Sequence, residues 1–216
     1  MTKETCCVKR LNGNNAVLVV VDMQERLVPA MMDNQELVET VAKLIRGCRL
    51  LDVPSIFTQQ YTKGLGATIP EIAEVAVSEV ESIDAGAEES AIEDAEDSAA
   101  VQEQEIFSFV EKHAFSVVGE PDFNREMKRY EVTDIIVCGI ESHVCVMQSV
   151  LDFLGDGYNV YVAADACSSR YDLDYDRALA RMAASGAVIT TTEAILFELL
   201  GDAKNPRFKE ISKLVK

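Results

Sequence analysis

The sequence predicts an α/β fold, a parallel sheet wrapped by helices. Short apolar runs alternate along the chain with stretches whose apolar residues recur at helical spacing. The run Ala16-Val-Leu-Val-Val-Val21 is continuously apolar, as a central strand covered on both faces must be. Around Ile135–Leu154 a buried run, Ile135 to Val137, breaks at Gly139. Val144, Val146, Met147, Val150, Leu151 and Leu154 then follow at helical period.

In order, the first strand ends in Asp22, at the sheet edge where open α/β folds place their sites. Asp22 is also readable as a cap for Met23-Gln-Glu-Arg26. Leu37, Val41, Leu44, Ile45 and Leu51 make 34–52 the first crossover helix, and Pro54-Ser-Ile-Phe-Thr58 the second strand. A polar, glycine-containing loop, Gln59 to Gly66, follows. Ile106-Phe-Ser-Phe-Val-Glu-Lys112 is the third strand, and its terminal lysine taken alone is an ordinary solvated charge. Proline opens a helix over Pro121–Tyr130. After the fourth strand and its helix, Tyr158–Ala164 is strand five, leading to Asp165-Ala-Cys-Ser-Ser-Arg170. Asp174–Ser185 is a helix, Ala187–Thr190 strand six, Glu193–Leu200 a short helix and Pro206–Val215 a last one.

Composition bounds the function. A chain of 216 residues, 48% apolar with five prolines, suits one globular domain. No apolar run approaches the roughly 18 residues of a membrane helix, and the polar start lacks a secretory core. Six cysteines without paired CxxC spacing fit reduced thiols in a cytoplasmic protein, with organelle targeting left open. Thiol-redox chemistry has little support, because Cys145 lacks a resolving cysteine at CxxC spacing.

The net charge of −17 argues against nucleic acid and anionic membranes as partners. It is unevenly spread: residues 71–106 carry 13 Asp/Glu and no Lys or Arg, and without those acids the charge would be −4. Ile69, Ile72, Val75, Val80 and Ile83 could form an amphipathic helix there, broken at Gly86. The segment reads as a solvated, low-complexity insertion, with a lid or a partner-binding arm as the sharper alternative.

Cys145 is expected on the first turn of its helix, with Ser142 as the cap. The helix end would then lower the thiol pKa, and its free N–H groups could hold an oxyanion. A plain buried core cysteine is the competing reading. Asp22, Lys112 and Cys145 all fall at one sheet edge and are chemically complementary. Asp22 would take the thiol proton and return it to a leaving nitrogen, while Lys112 would stabilise carboxylate and thiolate.

At these residues the chain resembles the isochorismatase-like family of cysteine hydrolases, in its subgroup of eukaryotic isochorismatase domain-containing proteins. The resemblance rests on Val20-Val-Asp-Met-Gln24, Gln60-Tyr-Thr-Lys-Gly-Leu-Gly66, Lys112-His-Ala-Phe-Ser116 and Cys138-Gly-Ile-Glu-Ser-His-Val-Cys-Val146. Leu151-Asp-Phe-Leu154, Ala164–Arg170, Ser185-Gly-Ala187, Thr191-Thr-Glu193 and Pro206–Leu214 extend it. It covers nearly everything except the first dozen residues and the acidic insertion.

The resemblance implies a Rossmann-like, three-layer α/β/α sandwich on a six-stranded parallel sheet, the isochorismatase-like hydrolase fold, with Asp22, Lys112 and Cys145 as a triad. It further implies a non-proline cis peptide between Ile140 and Glu141, aiming the Glu141 N–H at the same oxyanion as the Cys145 N–H. It also implies a homo-oligomer, dimer or tetramer. Nicotinamidases of the family carry an Asp/His metal cluster after strand two, where this chain has Gln59, Gln60 and Tyr61, so no metal and no cofactor are expected. Retention of Cys145 points to hydrolysis of a C–N bond in a small amide, ureido or carbamoyl substrate, and not to vinyl-ether cleavage. The competing expectation is a catalytically weak binding module working through the acidic insertion.

Position nominates Gln24, Gln60, Tyr61, Phe115, Glu141, Ser142, His143 and Arg170 as pocket residues. Arg170 is either a bidentate clamp for a substrate carboxylate or a partner of Asp174 or Asp176. His113 and His143 are structural or pocket-lining groups.

Overall fold

The computed structural model describes residues 10–77 and 107–216. Six strands form one sheet: β1 (Ala16–Val21), β2 (Ser55–Gln60), β3 (Phe107–Lys112), β4 (Asp134–Ile140), β5 (Asn159–Ser168) and β6 (Val188–Thr190). Their order is β3-β2-β1-β4-β5-β6, and every neighbouring pair is parallel. Alternation along β1 explains its unbroken apolar run. Leu18 and Val20 enter one core, while Val17, Val19 and Val21 enter the other.

The first core is closed by α1 (Asn34–Leu50), α3 (Pro70–Val77), α7 (Thr192–Leu200) and α8 (Phe208–Leu214), through Leu44, Ile72, Ile195 and Ile211 among others. The second is closed by α4 (Pro121–Met127), α5 (Met147–Gly155) and α6 (Asp172–Ala184), through Phe123, Val150, Phe153 and Met182. Helices therefore cover both faces, and the three-layer expectation holds.

Several boundaries differ from the sequence reading. β2 runs on to Gln60, and Thr62–Leu65 winds into a short helix α2 where a loop was expected. β5 continues through Asp165 to Ser168, because its register against β4 shifts between Val137 and Gly139 and lets the polar stretch keep pairing. The expected acidic insertion, from about residue 71, begins on a helix, as the spacing of Ile72 and Val75 allows. Residues 71–77 belong to α3, whose Ile72 and Ala76 are fully buried, and Arg49 Nη1 caps its end on Val75 O (2.7 Å) and Ala76 O (2.8 Å). Val80, Ile83, Gly86 and the rest of the expected insertion lie outside the described residues.

The strand order reverses direction between β1 and β4, the point at which parallel sheets open a crevice beyond their carboxyl ends. Two backbone features mark it. Gly139 has φ +109°, and a Cβ there would overlap the Val21 carbonyl oxygen, so only glycine lets β4 pass beside β1 here. Asp22 takes φ +51° directly after β1, a left-handed conformation that aspartate tolerates better than most residues.

Candidate active site

Asp22 hangs from the end of β1 and is fully buried. Its Oδ1 accepts from Thr58 Oγ1 at 2.8 Å, and its Oδ2 lies 2.7 Å from Lys112 Nζ, also fully buried. Lys112 ends β3 and reaches across β2. Its ammonium further donates to Gln60 Oε1 (2.6 Å), Phe115 O (3.1 Å) and Ala114 O (3.3 Å). An ammonium out of water needs such a full set of acceptors, so the lysine is no solvated strand-end charge. Asp22 Oδ2 makes no hydrogen bond of regular geometry beyond that ion pair.

The third member comes from β4. A cis peptide joins Ile140 to Glu141, as the resemblance implies, and a π-helical turn, Ser142–Val146, leads into α5. Val144 N and Val146 N both donate to Glu141 O, at 3.0 and 3.2 Å. Cys145 lies within that turn and is 6% exposed. Its thiol is within hydrogen-bonding reach of both Asp22 and Lys112. The sheet thus brings together the three groups placed at one edge by sequence.

Two local expectations fail. Ser142 does not cap the helix: fully buried, it donates from Oγ to Ser168 O at 2.9 Å and pins the turn to β5. The thiol pKa is not lowered but pushed up to about 12, first by burial and then by the Asp22 charge, with Lys112 pulling the other way. A helix-end field can favour thiolate only where desolvation does not outweigh it. Cys48 and Cys167 are also pushed up to about 12, and Cys138 is raised well above the ordinary thiol value, burial being the main cause in each.

The nominated pocket residues divide. Gln24 is fully buried and spent on structure. Its Oε1 accepts from Gln60 N (2.7 Å), and its Nε2 donates to Gly66 O (2.6 Å) and Gln60 O (3.0 Å). Gln60 likewise bonds to the surrounding chain through both side-chain atoms, accepting from Lys112 and donating to His113 O at 2.8 Å. Arg170 pairs with neither Asp174 nor Asp176; its Nε lies 2.9 Å from Glu141 Oε2. The exposed guanidinium therefore meets the side chain of a residue whose backbone was nominated for the oxyanion.

His143 Nδ1 is 3.0 Å from Ser169 Oγ, and its Nε2 is 3.9 Å from Asp174 Oδ2. Tyr61 and Phe115 are well exposed, at 46% and 54%. Tyr61 stands 6.0 Å from the His113 ring. Among the described residues no three His, Cys, Asp or Glu side chains group so as to hold a metal. No helix among them is long and apolar enough to cross a membrane.

Sequence reasoning missed Thr58, which orients the acid, because a threonine in a strand reads as filler. It also missed Ser149, fully buried four residues after Cys145. A hydroxyl on the apolar face of α5 was the signal for it.

Comparison with known proteins sets this geometry in context. Residues 16–194 match the model of the isochorismatase domain. The chain is 35% identical to isochorismatase domain-containing protein 2 of Xenopus laevis, over 96% of this chain and 87% of that protein. For the Macaca fascicularis protein of the same name the figures are 36%, 96% and 86%. Among solved structures, the MAR1 ribonuclease of Caenorhabditis elegans superposes with a TM-score of 0.78 at 34% identity, covering 96% of this chain and 92% of that one. The Escherichia coli YcaC product, described as an octameric hydrolase of unknown specificity, shares the fold. Its TM-score is 0.78 at 20% identity, over 95% and 88% of the two chains.

Proposed function

The chain belongs to the isochorismatase family, and from that premise we propose that it is a metal-independent cysteine hydrolase cleaving a C–N bond in a small amide, ureido or carbamoyl compound. One observation carries the reading: a buried carboxylate–ammonium pair at 2.7 Å, within reach of a buried thiol. Because that thiol rests protonated, it needs a base in contact with it. Asp22, held on Oδ1 by Thr58, takes the thiol proton as the sulfur attacks the substrate carbonyl carbon.

The C=O pair moves onto oxygen, and the N–H groups of Glu141 and Cys145 receive the oxyanion. The carbonyl then re-forms, the C–N bond breaks, and Asp22 hands its proton to the departing nitrogen. A water molecule, deprotonated by Asp22, attacks the resulting thioester. The second tetrahedral intermediate collapses to a carboxylic acid from an amide, or a carbamic acid from a ureido or carbamoyl compound, and Asp22 returns its proton to the departing sulfur. Throughout, Lys112 balances the charge on carboxylate and sulfur.

No metal or cofactor enters this scheme, and Gln59, Gln60 and Tyr61 occupy the place of a metal-binding Asp/His cluster. The substrate is a small molecule. The net charge of −17 speaks against RNA, so the ribonuclease description of the nematode relative is not carried over. We place the protein in the cytoplasm on its four free thiols among the described residues, and read it as a homo-oligomer, dimer or tetramer, noting that the related YcaC product is octameric.

The second reading, a binding module with little turnover, draws on the 13 acids of residues 71–106. A screen of amides, ureides and carbamoyl compounds, with Cys145→Ala as the blank, separates the two. Turnover that survives in Cys145→Ala, or none in the parent chain, defeats the hydrolase.

A further inference from the structure

The connection from β3 to α4 is gripped along its length by side chains outside the reacting triad. Residues 113–117 follow Lys112 and run on towards the turn that carries Cys145. At the near end Gln60 Nε2 donates to His113 O (2.8 Å). Glu120 Oε1 accepts from both His113 N (2.6 Å) and Ala114 N (2.7 Å). Those two amides, Ala114 first, hold the Glu120 carboxyl below the usual carboxylate range. Lys112 Nζ then donates back onto Ala114 O and Phe115 O.

At the far end Ser149 Oγ accepts from Val117 N at 3.0 Å and donates to Cys145 O at 2.7 Å. A serine bonding the carbonyl four residues back is a common helical habit. The second bond, spanning 32 residues, is not. It ties the backbone of the nucleophile to the segment whose carbonyls hold the ammonium.

We infer that residues 113–117 form a strap fixing Lys112 against Cys145, and that Ser149 and Glu120 are its positioning residues. The strap gives the ammonium its place relative to sulfur through backbone carbonyls, and the two side chains fasten the strap at its ends. Removing the Ser149 hydroxyl leaves the Val117 N–H without a partner and lets the strap shift. The ammonium then follows its carbonyls away from sulfur, and thiolate at Cys145 is less favoured. The inference rests on the hydrolase reading only for its link to turnover.

The test uses the full chain with Ser149→Ala, Ser149→Thr and Glu120→Ala. Iodoacetamide alkylation is followed across pH by peptide mapping of Cys145, Cys48, Cys138 and Cys167 together. Ser149→Ala is expected to slow Cys145 alkylation about tenfold, the effect of one neutral hydrogen bond on an equilibrium, and to move its pH profile upward. The other three thiols stay as protected as before. Ser149→Thr, which keeps the hydroxyl and its backbone bond, restores most of the rate. Glu120→Ala slows Cys145 in the same direction and to a smaller extent.

An unchanged Cys145 profile in both alanine variants overturns the strap. So does faster labelling of all four thiols together, the signature of general loosening. Glu120 is only half-buried, so Glu120→Ala decides the matter if Ser149→Ala does not fold. A parent chain that hydrolyses no amide defeats the hydrolase reading instead, and the strap is then judged on the alkylation ratios alone.

Discussion

Replacing Lys112 by methionine keeps most of the side-chain length and removes the ammonium. Asp22 would remain, fully buried, with Thr58 as its hydrogen-bonding neighbour. Gln60 Oε1, Ala114 O and Phe115 O would each lose a donor. Breaking one side of a buried ion pair typically destabilises by about 3–5 kcal/mol. Three deserted acceptors place Lys112→Met towards the upper end of that range. At roughly 2–4 °C per kcal/mol for a chain of this size, the melting temperature should fall by about 8–20 °C.

Asp22→Asn leaves the ammonium three of its acceptors and should be milder, about 1–3 kcal/mol. In the double variant neither charge is stranded, so its loss should fall short of the summed single losses by at least about 2 kcal/mol. Urea unfolding of all four proteins, with the slope checked for constancy, measures that coupling. Additive losses would show that the two groups do not depend on one another, and the geometry argued for the site would be wrong.

Three further outcomes follow from the same geometry. Thr58→Val removes the hydroxyl on Asp22 Oδ1, and should cost about 1.5–3 kcal/mol of stability. On a substrate found by the screen it should lower kcat with little change in KM, and a pure KM effect would remove Thr58 from the mechanism. Gly139→Ala places a Cβ on the Val21 carbonyl at φ +109°. A loss above roughly 3 kcal/mol, or insolubility, is expected, and an unchanged melting curve would contradict the close approach of β4 to β1. With the Cys145 thiol pushed up to about 12, iodoacetamide alkylation should keep rising from about pH 7 to about pH 10, because only thiolate reacts. A plateau near the ordinary thiol value would show that burial does not control the sulfur.

What could be read from the chain and what could not divide along one physical line. Apolar periodicity reports how a segment is covered, so β1, α1 and α5 were legible, together with the edge at which Asp22, Lys112 and Cys145 emerge. Bonds between segments far apart in sequence leave no local trace. Gln24 was nominated for a substrate and is bound to Gln60, 36 positions away. Ser142 was nominated as a cap and serves β5 instead. The sign of the Cys145 shift was misjudged for a related reason. The helix-end argument is local, whereas desolvation depends on everything packed around the sulfur. β5 outran its expected end because Asp165 looks like a terminus until β4 is seen beside it.

The acid and the sulfur descend from adjacent strands, whose separation of about 4.8 Å is dictated by main-chain ladders. Tyr61, Phe115 and Tyr171 sit instead on bends beyond the ladder, all well exposed. Side chains on those bends can be exchanged without displacing Asp22 or Cys145. In the hydrolase proposed above, descendants of such a frame could therefore acquire new molecules to act on while acid and sulfur stay where they were.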